Sequence, residues 1–555
     1  MSTGGEARGE EAADEPAGDE PRGEEPADEP AGGEAPRWRL PSVAGAVVGL
    51  GRRRAAAALA AVAAVAVLAL VAGLVCAGGG GAPPDEAARL VPAGALVYVH
   101  LSTDRDRAGD ARLARFAQAL PAVARLRAQI VGAISARAFD IERDVRPWLG
   151  DELAYAAVSA DDSVVLAAVE DRPKAEGLIA RAGNLSRAEP YLGVRVISAG
   201  PTAIAFVGDF LAVGTEPAVH AAIDLEQGDG DRLSDLPAYR HARDGRPDER
   251  SLDAYASAAG VREVLGSRAG LLGALGALLD RPGLETVGAS LTAEEDGLRA
   301  EVRLAGGAPR DAAFEPLLLE RVSEGTAAYL GLRSARRLAR LLERLGAGDS
   351  LERLGKGLIR EAGIGFERDL LAPLSGELAI TVASDATSGD APVVTLKART
   401  ADERRSGAAL ARLQEPIARR LAVAGTVPRF EAQPIGGLNA FTLRVTPELA
   451  PSYAVADGTV AISTSPAGLE PLRGTLAASQ PFEATVGEVP DKADSLVFLD
   501  LRALLALGEQ TGLTAIPGLA TVRDDLSRVR AAGAVITADD SNPSDTTAEL
   551  FLEIP

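Results

Sequence analysis

Hydrophobic and polar positions change their period several times along this chain, and each change marks an element. Residues 55–77 form an almost uninterrupted apolar run. About 20 apolar residues at 1.5 Å each cross a hydrocarbon core of roughly 30 Å, so the run predicts one transmembrane helix. Arg52, Arg53 and Arg54 stand on its N-terminal flank, whereas four glycines follow it and no basic residue appears before Arg89. The positive-inside rule then keeps the N-terminus in the cytoplasm and places the rest outside it. Residues 37–54 read as a basic juxtamembrane segment, and 78–88 as a Gly/Pro linker.

Beyond the linker the period shortens to two. Alternation around Val97, Val99 and Leu101 predicts a strand over 95–101, and the charged amphipathic stretch 111–136 predicts one or two helices. Two apolar runs, 153–158 and 164–169, flank Ala160-Asp161-Asp162-Ser163 as a hairpin would. Residues 203–207 and 210–214 meet at Gly208-Asp209, and 459–463 follow Asp457-Gly458. Asp-Gly suits a two-residue turn because both central residues need positive φ. Thr215 before Glu216-Pro217, and Thr464-Ser465 before Pro466, read as capped helix starts whose side chains satisfy free amides. Residues 287–293 with 298–304, and 534–538 with 547–554, read as paired strands.

These elements fall into two series. Glu142-Arg143-Asp144, Leu149 and Glu152-Leu153-Ala154 recur as Glu367-Arg368-Asp369, Leu374 and Glu377-Leu378-Ala379. Residues 288–295 recur as 533–540, the second copy having gained residues between the blocks. Residues 95–101 match 327–332, Val164-Val165 match Val393-Val394, and Ser251-Leu252 match Ser495-Leu496, all in order. Solenoids repeat every 20 to 50 residues, so this longer period predicts two homologous lobes, 89–310 and 311–555. Frequent hairpins with irregularly placed helices predict α+β lobes with mainly antiparallel sheets and packed helices.

Three motifs carry a family resemblance: Leu90-Val91-Pro92-Ala93-Gly94-Ala95-Leu96-Val97-Tyr98-Val99, the Pro147-Trp148-Leu149-Gly150-Asp151-Glu152-Leu153 block, and the block from Gly288 to Glu295. With the apolar anchor and Gly/Pro linker before them, the chain resembles an uncharacterised actinobacterial family of membrane-anchored proteins that contain a domain of unknown function. The resemblance covers most of 89–555. It implies location and architecture, and supplies no catalytic signature.

Charge and composition narrow the partners. Net charge is −21, but residues 1–36 hold twelve acids against Arg8 and Arg22. That acidic, Pro-rich tail has almost nothing to bury and is expected to remain disordered, either as a solvated spacer or as bait for a basic cytoplasmic partner. Outside the membrane flank no basic cluster appears, which argues against nucleic acid. Cys76 is the only cysteine, so the later part has neither a disulfide nor a cysteine zinc site. Lipidation at Cys76 would want small residues where Leu74 and Val75 stand, and cleavage after Ala77 would want a shorter apolar run; an uncleaved anchor is preferred. Alanine abundance, arginine in excess of lysine and only 4% aromatic residues fit GC-rich codon usage.

No reaction is declared. His100, His220 and His241 are the three histidines, and no pair has helical metal-ligand spacing; His100 falls in a predicted strand, half buried. No G-x-S-x-G, S-x-x-K or H-E-x-x-H occurs, and Gly363-Ile364-Gly365 lacks the rest of a dinucleotide fingerprint. Acidic turns at Asp161-Asp162 and Glu294-Glu295-Asp296 lack the calcium-loop pattern. The repeated Glu-Arg-Asp precedes a proline turn and reads as structural. No catalytic, cofactor or metal residue is assigned. Residues 269–279 are the most apolar stretch after the anchor, with Gly270, Gly273 and Gly276 on one helical face beside Leu272, Leu275 and Leu279. They read as a packed helix or as one wall of an apolar groove. The sequence therefore predicts a non-enzymatic envelope module, either one that binds a protein or polymer or a structural one. The alternatives are a carrier or sensor of a lipid or other apolar ligand, and an unrecognised hydrolase.

Overall fold

Alternation of side chains commits the described residues to one large antiparallel sheet, with helices laid across it. The computed structural model describes residues 84–104, 141–181, 187–199, 202–265, 282–307, 313–333, 359–365, 376–384, 392–422, 426–446, 449–510 and most of 526–554, with single or paired positions between these stretches. The tail, Arg52, Arg53, Arg54 and the apolar run 55–77 lie outside the described residues, as do Gly270, Leu272, Gly273, Leu275, Gly276 and Leu279. Among the described residues no helix is long and apolar enough to cross a membrane.

The first half runs β1 (Val97–Ser102), β2 (Leu149–Ala157), β3 (Ser163–Val169), α1 (Arg172–Arg181), β4 (Arg187–Tyr191), β5 (Val194–Ala199), β6 (Thr202–Val207), β7 (Phe210–Thr215), α2 (Glu216–Glu226), α3 (Pro237–Arg243), β8 (Leu252–Ser257), β9 (Leu284–Ala293) and β10 (Gly297–Gly306). The second half runs β11 (Thr326–Leu332), β12 (Leu378–Ser384), β13 (Pro392–Arg399), α4 (Glu403–Arg420), β14 (Phe430–Ile435), β15 (Leu438–Leu443), β16 (Ser452–Ala456), β17 (Thr459–Ser463), α5 (Gln480–Thr485), β18 (Ser495–Asp500), α6 (Leu501–Gln510), β19 (Ala531–Ala538) and β20 (Thr546–Glu553).

Pairing gives the first half the lateral order β4-β5-β6-β7-β3-β2-β1-β8-β9-β10. The second half has the corresponding order β14-β15-β16-β17-β13-β12-β11-β18-β19-β20. Strands β10 and β20 pair antiparallel from Gly297 opposite Glu553 to Leu304 opposite Thr546, so the two halves share one twenty-stranded sheet.

Register aligns residues of the two halves more finely than sequence does. Gly288 lies opposite Tyr255, itself opposite Tyr98; Gly533 lies opposite Phe498, itself opposite Tyr329. The matched blocks at 288 and 533 therefore occupy equivalent places. Two sequence matches need correction. Leu252 pairs with Leu101 but Ser495 with Leu332, so Ser495 rather than Leu496 stands where Leu252 does. A one-residue slip exchanges the two faces of a strand, which is why the apolar pattern alone misassigned it. Val164 pairs with Ala156 and Thr395 with Thr381, so Thr395, not Val393, takes the place of Val164.

Turn chemistry follows the residues. Asp457 and Gly458 have φ of 51° and 68°, the two left-handed residues that join β16 to β17. Thr215 precedes α2 in extended backbone, yet its hydroxyl makes no cap bond and is buried without a partner, contrary to the expectation from sequence. Ser465 does cap, accepting from the Ala467 amide at 3.3 Å, while the Thr464 hydroxyl accepts from the Val394 amide at 3.0 Å. One face of the first half buries Tyr98, Ala154, Leu166, Ala212, Ile223 and Tyr255 under α2 and α3; the corresponding second-half core holds Tyr329, Ala379, Phe482, Leu496 and Phe498.

Candidate functional site

The chain enters its first half as a strap, Pro84 to Leu90, and the sheet face under it is charged. Glu152, at the start of β2, accepts the amides of Glu86 at 3.0 Å and Ala87 at 2.6 Å, and so caps the helical turn Ala87–Leu90. Asp85 accepts the Tyr98 hydroxyl at 2.5 Å and the Tyr239 hydroxyl, and pairs with Arg243. Asp253, buried on β8, pairs with Arg246, with Arg250 at 2.7 Å and with Arg243 at 3.8 Å. Burial pushes the Asp253 carboxyl up, but Arg246, Arg250 and Arg243 together hold it below its ordinary range.

His100 projects into this network from β1. It is fully buried, where the sequence suggested half burial, and its Nε2 lies 3.6 Å from Glu152 Oε2. Burial opposes its charge, yet Glu152, Asp85 and Asp253 outweigh that cost and raise its pKa. Asp253 is its cross-strand partner. Burial and the Asp85 charge likewise push the Tyr98 and Tyr239 hydroxyls far up, which keeps both neutral hydrogen-bond donors.

Beside the strap opens a cleft of about 880 Å³ at the ends of β1, β2, β3 and the β6–β7 turn. Glu86, Asp104, Asp151, Glu152, Glu170 and Asp209 line it, with Glu226 behind Gly208. Among the described residues Arg89 is the only basic residue of its lining, and that side chain pairs with Glu86 at 2.7 Å. The cleft thus presents a concentrated negative field, which attracts cations and basic groups.

In the second half Glu377 holds the place of Glu152. Its Oε2 accepts the Leu318 amide at 2.8 Å, just ahead of the turn Leu319–Arg321. Gly331 stands where His100 does, so no imidazole faces this carboxylate. Its Oε1 is buried without a partner, and desolvation pushes the Glu377 carboxyl up to about 7. Leu496 occupies the place of Asp253 and is buried among apolar neighbours. A smaller pocket of about 230 Å³, lined in part by Lys397 and several hydroxyls, opens on the same face.

The repeated Glu-Arg-Asp turns and the other two histidines make packing and turn contacts. Asp369 accepts the Gly365 amide at 2.8 Å and both Arg368 nitrogens at 2.9 Å, the turn-holding role read from its sequence. Arg143 contacts Asp144 in the same way, and Trp148 Nε1 donates to the Asp144 carbonyl at 2.8 Å. His220 stacks on Tyr191 at 3.8 Å, and His241 reaches Asp545 of the other half at 2.9 Å. Among the described residues no group of three or more His, Cys, Asp or Glu side chains could hold a metal. The network around Asp85 and Asp253 escaped the sequence reading. Its one local signal was Asp253, a lone charge at an inward position of the strand Leu252–Ser257.

Comparison with known proteins adds a family and little chemistry. No curated protein matches the chain. Among solved structures, crystal form I of TP0453 is 12% identical with a TM-score of 0.27, covering 41% of this chain and 81% of that one. Crystal form IV gives 12% identity and a TM-score of 0.25, over 39% of this chain and 79% of that one. Residues 54–554 match the family described as "Protein of unknown function (DUF3352)", and the chain belongs to it.

Proposed function

We propose that this protein is a non-enzymatic binding module of the cell envelope, carried outside the membrane by the apolar run 55–77 and built as an internal duplication. The corresponding strand orders of the two halves, and the equivalent register of Gly288 and Gly533, support the duplication. The arginine flank and the length of the apolar run support the anchor.

The acidic cleft carries the binding reading. It favours a partner that presents ammonium or guanidinium groups, such as a basic envelope protein or a cationic polymer. Its carboxylates lie on strand ends and turns held by the sheet, which suits recognition by a rigid surface. The test is cross-linking from a photoreactive residue placed at Glu226 in intact cells, with and without Glu170→Lys plus Asp209→Lys. A basic component trapped by the wild-type cleft and lost with the charge reversals supports the reading; no trapped component, or one indifferent to the reversals, refutes it.

A further inference from the structure

Lys397 lies on an inward face, in a group of four positions that are apolar in the first half. Register places Lys397 at the position of Leu166, Thr395 at that of Val164, Thr381 at that of Ala156 and Ser463 at that of Gly214. In the first half α2 covers these positions with Ala218, Val219, Ala222 and Ile223, all buried. In the second half the segment after β17 makes only the four-residue turn Pro466–Leu469, and Glu470 to Arg473 then run along the pocket without a helix. Four substitutions toward polarity therefore coincide with the loss of the helix that would have covered them. Lys397, Thr395 and Thr381 line a pocket of about 230 Å³, and Ser463 lies beside it, accepting from Thr395 Oγ1 at 3.0 Å.

The Lys397 ammonium donates to the Arg321 carbonyl, and among the described residues no carboxylate pairs with it. The Arg321 guanidinium is itself turned to the Asp457 carbonyl and Thr459 Oγ1. Desolvation and the Arg321 charge both lower the Lys397 pKa, so its charge is held at a cost that a bound anion would relieve. Ser323, Thr326, Thr381 and Thr395 line the same pocket, and Arg473 lies at its rim beside Glu470. Gly468 packs so closely that a β-carbon would stand 2.1 Å from Thr395 Oγ1 and 2.2 Å from Ser463 Oγ, which brings the turn's backbone against the hydroxyls.

We propose that this second-half pocket binds a phosphate group, with Lys397 as the charge partner, the Ser323 and Thr326 hydroxyls as neutral donors, and Arg473 closing the rim; the Thr395 hydroxyl is already given to Ser463 Oγ and the Thr381 hydroxyl to the Thr395 carbonyl. An ammonium, two hydroxyls and a guanidinium around a small volume suit a tetrahedral oxyanion with several acceptor oxygens, and lysine serves such groups as a point charge. The site is independent of the acidic cleft, and either can fail alone.

The test titrates full-length protein with inorganic phosphate and with glycerol 3-phosphate at pH 7, reading heat and melting temperature. Saturable binding of either, weakened at least tenfold in Lys397→Leu and several-fold in Arg473→Gln, supports the proposal; the better ligand says whether the group is free or esterified. Lys397→Leu restores the residue of the first half, and its melting temperature without ligand is expected to equal or exceed that of the wild type. Absence of binding by both ligands, or undiminished binding by Lys397→Leu, overturns the proposal. Should that variant fail to fold, Arg473→Gln, whose side chain is exposed, decides on its own: unchanged affinity overturns the site.

Discussion

Gly288 faces the carbonyl oxygen of Ala242 so closely that a β-carbon on it would stand 2.3 Å away. Gly533 meets Thr485 in the same manner, with its carbonyl carbon and oxygen both at 2.7 Å from such a carbon. Glycine in a strand marks a close backbone approach, and here it lets α3 and α5 lie directly on β9 and β19. Gly288→Ala and Gly533→Ala are each expected to destabilise by roughly 1–3 kcal/mol, because backbone cannot yield as a side-chain tip can. Gly407 in α4 has open space around it, so Gly407→Ala is expected to stabilise by about 0.5–1 kcal/mol. Denaturant unfolding of the three variants checks both directions, and a neutral Gly288→Ala would remove the packing argument.

Glu377 makes stability depend on pH. Its folded pKa, about 7, lies above the ordinary carboxyl value, so the folded state holds a proton that the unfolded state has released. The contribution is complete below about pH 4.5 and is lost as pH rises through 7. On the order of 2 kcal/mol is at stake. Glu377→Gln keeps an acceptor for the Leu318 amide and cannot ionise, and its stability is expected to be flatter between pH 5 and 8. A wild-type protein whose slope equals that of the variant would contradict the assignment.

His100 acts in the other half with the same sign. Its pKa is raised by Glu152, Asp85 and Asp253 against the cost of burial, so its stabilising contribution is full below about pH 6.5 and declines as pH rises through the higher folded value. Glu152→Gln weakens that partner and is expected to bring the decline to lower pH. Direct titration of the imidazole by NMR, with and without Glu152→Gln, reads the shift; an unmoved His100 pKa would show that Glu152 does not set it.

How far the sequence reached depends on the range of the interactions involved. Period-two alternation and Asp457-Gly458 are local, and they located β1, the β2–β3 hairpin and the β16–β17 turn from sequence alone. The Gly288 and Gly533 blocks were visible because close helix packing demands the same small residue in both halves. Register was less legible: Leu496 looks like the partner of Leu252, yet the ladder assigns that place to Ser495. The charged network was hidden because Asp85 and Tyr239 are 154 residues apart, and only the folded sheet joins them. The second-half pocket is invisible for the same reason, since Thr381, Thr395 and Ser463 become neighbours through strand pairing.

Pro190 and Pro434 guard the two ends of the sheet. Among the described residues β4 and β14 each have a strand on one side only. Each pairs with its neighbour through a two-residue turn of positive φ, Leu192-Gly193 in one and Gly436-Gly437 in the other. Such a turn makes the residues beside it, Tyr191 with Val194 and Ile435 with Leu438, the hydrogen-bonded pairs. Pro190 opposite Arg195 and Pro434 opposite Asn439 are then non-bonded pairs, whose backbone nitrogens face the free edge. A proline there withholds the donor that another strand would take and obstructs its approach. Replacing both by valine is expected to leave the internal ladder intact and to raise self-association. Sedimentation velocity of full-length protein in detergent would read this as oligomers growing with concentration in the double variant; identical distributions for both proteins would show that another feature protects these edges.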